Sequence, residues 1–141
     1  MDKNSFLYLS WSQLHDDCFE LSQKIKVKKI KFDRIVAISR GGLVVARILS
    51  DFLQLAISVF TIVAYTDVNK IKQPKVVEGL KAKISDETVL LVDEVADSGQ
   101  TFLLALKYLD KFKPSQIYTC APYIKPKSRF QPDFWQTKTD K

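Results

Sequence analysis

The chain has 141 residues, is 46% hydrophobic and carries a formal net charge of +6. A chain of that length suits one compact domain that buries roughly two-thirds of the surface it exposes when unfolded, so it needs no disulfide or metal staple. The one histidine, His15, and the distant Cys18 and Cys120 offer neither metal-ligand spacing nor a disulfide framework, which points to an intracellular setting with reduced thiols. The opening MDKNSFLYLSW has an early acid and no long apolar core, unlike a secretory signal, and no stretch reaches the ~18 apolar residues of a membrane span. The expectation is a soluble, cytoplasmic protein with no membrane partner. Lysines cluster at Lys24, Lys26, Lys28, Lys29 and Lys31, at Lys70, Lys72 and Lys75, and at Lys125 and Lys127. Such runs are ordinarily solvated faces; a phosphate-rich ligand or a nucleic acid is the other reading.

Residues 11–26 read as an amphipathic helix. Leu14, Cys18, Leu21 and Ile25 are spaced 4, 3 and 4 and share a face, with Ser12 as a cap and His15, Asp16 and Asp17 in the first turns. RIVAIS, residues 34–39, is a β-branched run with strand character. SRGG then breaks the chain, and residues 43–53 resume helical spacing. ISVFTIVAY, residues 57–65, reads as a buried strand. Residues 66–77 are polar, lysine-rich and without a period, so they read as a long loop; about a dozen structureless residues in a compact domain are commonly a functional lid. TVLLV, residues 88–92, is a short strand followed at once by DEVADSG. Helical spacing returns over residues 101–112, where Leu104, Ala105, Tyr108, Leu109 and Phe112 share a side, and residues 116–121 form another strand. The tail PYIKPKSRFQPDFWQTKTDK is punctuated by proline and reads as irregular. Apolar strands alternating with helices predict a parallel sheet covered on both faces. Ligands of such sheets bind outside the carboxyl ends of the strands. SRGG, the 66–77 loop and DEVADSGQT all fall there.

The chemistry concentrates in VLLVDEVADSGQT, residues 89–101. A buried strand delivers Asp93 and Glu94 to the ligand edge; the chain then turns through Asp97, Ser98 and Gly99 into a helix beginning near Thr101. The first N–H groups of a helix lack internal partners and carry the positive end of its dipole, so small residues leading into one make a phosphate cradle. Ser98 and Thr101 add hydroxyl donors, and Gly99 permits close approach or positive φ. The two carboxylates would repel phosphate; they suit ribose hydroxyls or a Mg²⁺ ion bridging to further phosphates. Taken alone, D-S-G could equally be a turn in which Asp97 or Ser98 caps the helix, worth ~1 kcal/mol. No Walker loop and no G-x-G-x-x-G occurs.

These thirteen residues resemble, without gaps, the signature by which type I phosphoribosyltransferases bind phosphoribosyl pyrophosphate (PRPP): apolar strand, two acids, two apolar residues, then D-[ST]-G-x-T. FDRIVAISRGGLVVARIL is similar to the pyrophosphate-loop region of the bacterial and archaeal 6-oxopurine branch of that family. The likeness runs from the first helix to the last residues. It implies an α/β phosphoribosyltransferase fold with a parallel sheet flanked by helices and a small hood from the N- and C-terminal segments. One domain, residues 1–141, would include a lid at about 66–77 and a base-binding hood segment at about 123–141. The implied activity is purine salvage: PRPP and a 6-oxopurine (hypoxanthine, guanine or xanthine) give a nucleoside 5′-monophosphate and pyrophosphate.

Carried residue by residue, the resemblance assigns Asp93 and Glu94 to the ribose hydroxyls, with Asp93 also at Mg²⁺. Ala96, Asp97, Ser98, Gly99, Gln100 and Thr101 would surround the 5′-phosphate, and Asp97 matches the family's general base. Ser39, Arg40, Gly41 and Gly42 match the pyrophosphate loop, with a cis peptide before Arg40. The lid would open after Ala64 at Tyr65 and Thr66 and close over the substrates, since water at the oxocarbenium-like ribosyl centre would hydrolyse PRPP. Lys125, in Tyr-Ile-Lys-Pro, would donate to the purine O6, which disfavours adenine electrostatically. Relatives stack a tryptophan on the base just past a T-D-K stretch; here either such a tail lies beyond Lys141, or the pocket is completed differently, by Phe134 or Trp135. The family is usually homo-oligomeric, as dimers or tetramers. Two alternatives stand beside this reading: acceptance of adenine or a pyrimidine, and a PRPP-sensing regulator that binds nucleic acid through the Lys24–Lys31 cluster. A pure sensor has no use for base-side residues such as Asp97 and Lys125, so nucleic acid is not the expected partner.

Overall fold

The computed structural model describes residues 8–64, 66–67, 70–71 and 73–140. Helix α1 spans Trp11–Val27 and is capped by Ser10, whose Oγ accepts the Gln13 N–H at 3.0 Å. Ser12, the expected cap, is already inside the first turn; a cap must precede the helix with extended backbone, as Ser10 does at ψ 160°. Strand β1 (Arg34–Ser39), helix α2 (Gly42–Leu53) and strand β2 (Ile57–Val63) follow. Next come β3 (Thr66–Asp67), β4 (Lys70–Ile71), β5 (Lys75–Glu78), β6 (Thr88–Val92) and β7 (Val95–Ala96). Helix α3 (Gln100–Asp110) and strands β8 (Gln116–Cys120), β9 (Tyr123–Ile124) and β10 (Thr137–Lys138) complete the chain.

The main sheet has the order β5-β2-β1-β6-β8, parallel except for β5. Period-two alternation splits its interior into two layers. Val36, Ile38, Val89 and Leu91 pack with Phe102, Ala105 and Leu109 of α3. Ile35, Ala37, Leu90 and Val92 pack with Leu21 and Ile25 of α1 and Val45 and Leu49 of α2. Both faces are therefore covered by helices, and each fully buried aliphatic side chain contributes roughly 1.5–3 kcal/mol. At the amino edge, Arg34 forks onto Glu87 at 2.6 and 2.7 Å, joining β1 to the segment that enters β6.

Two expectations need correction. Residues 66–77 are not structureless: β3 and β4 pair antiparallel, and β5 covers the edge of β2 in register Ile62↔Val76 and Val63↔Lys75. The reason is that an open strand edge recruits a partner, and the half-buried Val76 packs on the α3-side core when β5 supplies one. The tail is not irregular either, because β9 pairs in parallel with both β7 and β10 to make a small three-stranded sheet. Strands of two residues carry no readable period. This small sheet is the C-terminal part of the expected hood, whereas residues 1–7 lie outside the described residues. Among the described residues no helix is long and apolar enough to cross a membrane.

Candidate active site

Strand order locates the crevice. From β1 the chain crosses through α2 to β2 on one side, and β6 lies on the other side of β1, so the sheet reverses direction between β1 and β6. Open α/β sheets bind ligands at such a reversal, outside the carboxyl ends of the strands. The parallel register Ala37↔Val92 brings the exits of both strands to one level. SRGG leaves β1 there and DEVADSG leaves β6 there.

The two exits are in contact. A Cβ added to Gly42 would stand 2.5 Å from the Val92 carbonyl oxygen, and one on Gly41 would stand 3.1 Å from Asp93 Oδ1 and 3.3 Å from Glu94 Oε2. Only bare backbone lets this turn lie against the acid pair. The Ser39–Arg40 peptide is cis, as the resemblance implied, and Arg40 is exposed. Asp93 is half-buried and its Oδ1 accepts the Glu94 N–H at 2.8 Å. Burial is the main cause that pushes its carboxyl up to about 7; the Glu94 N–H opposes this and the Glu94 charge adds to it.

Beyond β7, Asp97 and Ser98 are exposed and Gly99 adopts φ +90° at the amino end of α3. Gly99, not Asp97 or Ser98, holds the N-cap position and provides no side-chain cap, so the N–H groups of α3 that follow Gln100 in its first turn are left for a ligand or water. Ser98 Oγ accepts the Gln100 N–H at 3.3 Å. Gly41, Asp93, Glu94, Asp97, Ser98 and Thr101 line a cavity of about 250 Å³. Behind Gly99, a Cβ would meet the Phe130 nitrogen at 2.7 Å, and Phe130 stacks on Phe102 with centroids 5.1 Å apart. The cradle is thereby backed by the segment following β9.

That segment also delivers the cations. Pairing of β9 with β7 continues as Lys125 N–H to Ala96 O at 2.9 Å, and Lys125 Nζ stands 3.6 Å from Asp97 Oδ2. A second ammonium, Lys127 Nζ, stands 3.1 Å from Asp97 Oδ1. The family model of the phosphoribosyl transferase domain matches residues 10–141. The chain belongs to that family. It is 33% identical over 132 residues to the xanthine-guanine phosphoribosyltransferase of Gluconobacter oxydans (strain 621H), covering 92% of this chain and 76% of that one. Among solved structures it is similar to the purine phosphoribosyltransferase from Pyrococcus horikoshii Ot3, with TM-score 0.85 and 28% identity over 96% of this chain and 88% of that one. It is also similar to a hypothetical protein from Neisseria gonorrhoeae solved with bound ppGpp, with TM-score 0.83 and 26% identity over 94% and 82% of the two chains.

In this phosphoribosyltransferase, residues 39–42, Asp93, Glu94, residues 96–101 and Lys125 all meet at one edge of the sheet. Tyr65 lies outside the described residues, and Thr66 begins β3. The aromatic residues expected at the base do not reach it. Phe134 is 7% exposed and bridges to Cys120 in the α1–α2 core layer. Trp135 sits at the other end of α1, where Lys24 Nζ donates to its carbonyl at 3.1 Å and Lys24 and Lys138 each lie 5.9 Å from its ring. An apolar ring close to the chain's last strand is more easily buried by the core than held at a wet cleft. Two participants went unread in the sequence. Lys127 looked like a surface charge, although Lys-Pro-Lys hinted at a turn presenting both ammoniums to one side. Tyr123 donates its hydroxyl to the buried Asp17 at 2.7 Å, tying β9 to α1, and no spacing rule links residues 106 apart.

Proposed function

We propose that this phosphoribosyltransferase transfers the 5-phosphoribosyl group of PRPP to a 6-oxopurine, giving a nucleoside 5′-monophosphate and pyrophosphate. The pairing of Asp97 with Lys125 beside the phosphate cradle carries the reading. A carboxylate that accepts a ring proton and an ammonium that donates to an exocyclic oxygen complement a 6-oxopurine, whereas the amino group of adenine would face the ammonium donor to donor. The bond from ribose C1′ to the pyrophosphate oxygen breaks, the bond to a purine ring nitrogen forms, and a proton carried elsewhere on the purine ring passes to Asp97. Such a positioned base contributes ~10²–10⁴ in rate.

Residues 98–101 and the free N–H groups of α3 would hold the 5′-phosphate, and the bare backbone at Gly41 and Gly42, with Ser39 and Arg40, would hold the pyrophosphate. Asp93 and Glu94 would hold the ribose hydroxyls. Among the described residues no three His, Cys, Asp or Glu side chains gather to hold a metal by themselves. Asp93 and Glu94 instead offer hard oxygen donors next to the pyrophosphate loop, which fits Mg²⁺ carried by one or two carboxylates plus substrate phosphates. Mg²⁺ there would offset the charge gathering on departing pyrophosphate. Residues following β2 would exclude water from the ribosyl centre, and a cytoplasmic homo-oligomer is the form in which we expect the enzyme to work.

The test is pyrophosphate release from PRPP and Mg²⁺ with hypoxanthine, guanine, xanthine, adenine and orotate offered singly. Release with one or more 6-oxopurines supports the assignment and ranks the bases. Release with adenine or orotate alone overturns the base assignment, and no release with any base overturns the transfer reaction.

A further inference from the structure

Lys127 has no part in the reaction just described, yet among the described residues it is the cation nearest Asp97. Its Nζ is 3.1 Å from Oδ1, against 3.6 Å for Lys125 on Oδ2, and its side chain is 69% exposed where that of Lys125 is 27% exposed. Backbone register holds it there. Lys125 N–H bonds Ala96 O at 2.9 Å and Arg129 N–H bonds Ser98 O at 3.0 Å, so the stretch between runs beside residues 96–98 with Lys127 opposite Asp97.

The cradle itself lacks a cation. Asp97, Ser98, Gly99, Gln100 and Thr101 supply N–H and hydroxyl donors and one negative charge. A phosphate monoester brings about −1.5 to −2 more at neutral pH. We infer that Lys127 is a 5′-phosphate ligand held in reserve on Asp97: it leaves Oδ1 when the phosphate enters the cradle and pairs with the phosphate instead. Three features favour the exchange. An ion pair this exposed is worth little, so breaking it is cheap. A lysine ammonium on its four-carbon stem reorients easily, and a phosphate offers more acceptors than the carboxylate it leaves. Its departure also uncovers Oδ1, the oxygen then free to accept the purine proton, so that PRPP binding prepares the base for its second substrate.

This inference rests on the phosphoribosyl-transfer reading, and the test separates the two. Inosine 5′-monophosphate and, separately, inorganic pyrophosphate are titrated with Mg²⁺ into the full chain, its Lys127→Gln variant and its Lys127→Arg variant. Loss of one charge-assisted phosphate contact should weaken inosine 5′-monophosphate ~10-fold in Lys127→Gln. Pyrophosphate should stay within about twofold, and Lys127→Arg should recover part of the loss. A general disturbance of the site would not split the two ligands in this way. Unchanged monophosphate affinity in Lys127→Gln, or an equal loss for pyrophosphate, overturns the inference while leaving phosphoribosyl transfer intact. A wild-type chain that binds neither ligand overturns the transfer reading and this inference together.

Discussion

Residues 92–101 form one wall of the site and the segment 123–138 supplies the other through its residues 125–130, and the two arrive there by different routes. The first wall is local: strand, acid pair, turn and helix start are consecutive along the chain. The second is assembled at a distance. Its two-residue strands pair with β7 and with each other, its Tyr123 hydroxyl reaches Asp17 on α1, and its Phe130 packs behind Gly99. Chemistry that must be rigid can be written into a short motif, whereas groups that meet the variable substrate sit on a segment ordered only by tertiary contacts. Two-residue strands cannot persist alone, because closing the chain costs more than a pair of ladder bonds returns.

The comparison can be broken from either side. The largest expected effect is on the local wall: Asp97→Asn should lower turnover ~10²–10⁴-fold while PRPP affinity holds, measured as pyrophosphate release beside a direct PRPP titration. Unchanged turnover would sink the assignment of the base. The acid pair gives a pH test. Burial raises the Asp93 carboxyl to about 7 in the folded, ligand-free chain, so folding retains a proton that the unfolded chain gives up near pH 4. Its contribution is therefore complete below about pH 4 and lost as pH rises through about 7. Wild type should lose roughly 2–4 kcal/mol over that interval relative to Asp93→Asn, read as unfolding free energy against pH in the absence of PRPP. Parallel profiles for the two proteins would show that Asp93 titrates as it does in water.

Where the walls of the crevice touch, Gly42→Ala places a methyl against the Val92 carbonyl and should cost ~1–3 kcal/mol in urea unfolding, since neither backbone can yield cheaply. A neutral result would mean that the β1 exit is free to shift. The smallest effect belongs to the distant wall. Tyr123→Phe removes the hydroxyl from Asp17, leaving that buried carboxylate to Gln13 alone, at ~1–2 kcal/mol in thermal melts with PRPP affinity unaltered. A loss of PRPP affinity would show that the two walls are not separable.

How much was legible follows the same division. RIVAIS and TVLLV read as strands and are strands with the expected bounds, because continuous β-branched and apolar runs leave little else to do. The placement of SRGG and of the turn into α3 at one edge of the sheet was legible because small residues between a strand and a helix mark a tight turn. Residues 66–77 were misread because β5 exists only by adding to β2, and the cap of α1 because Ser10 and Ser12 differ in backbone, not in chemistry. Phe134 and Trp135 were misplaced because aromaticity does not say which cavity a ring will fill.

The sequence by itself determined the layer pattern, the cradle and the acid pair, since each depends on periodicity or on groups fewer than ten residues apart. Only the tertiary structure decided that Asp97 would meet two lysines, that Tyr123 would tie to Asp17, and that the C-terminal strands would close over β7. Those contacts join residues from 28 to more than a hundred positions apart, and their energy comes from packing and pairing that no local pattern encodes.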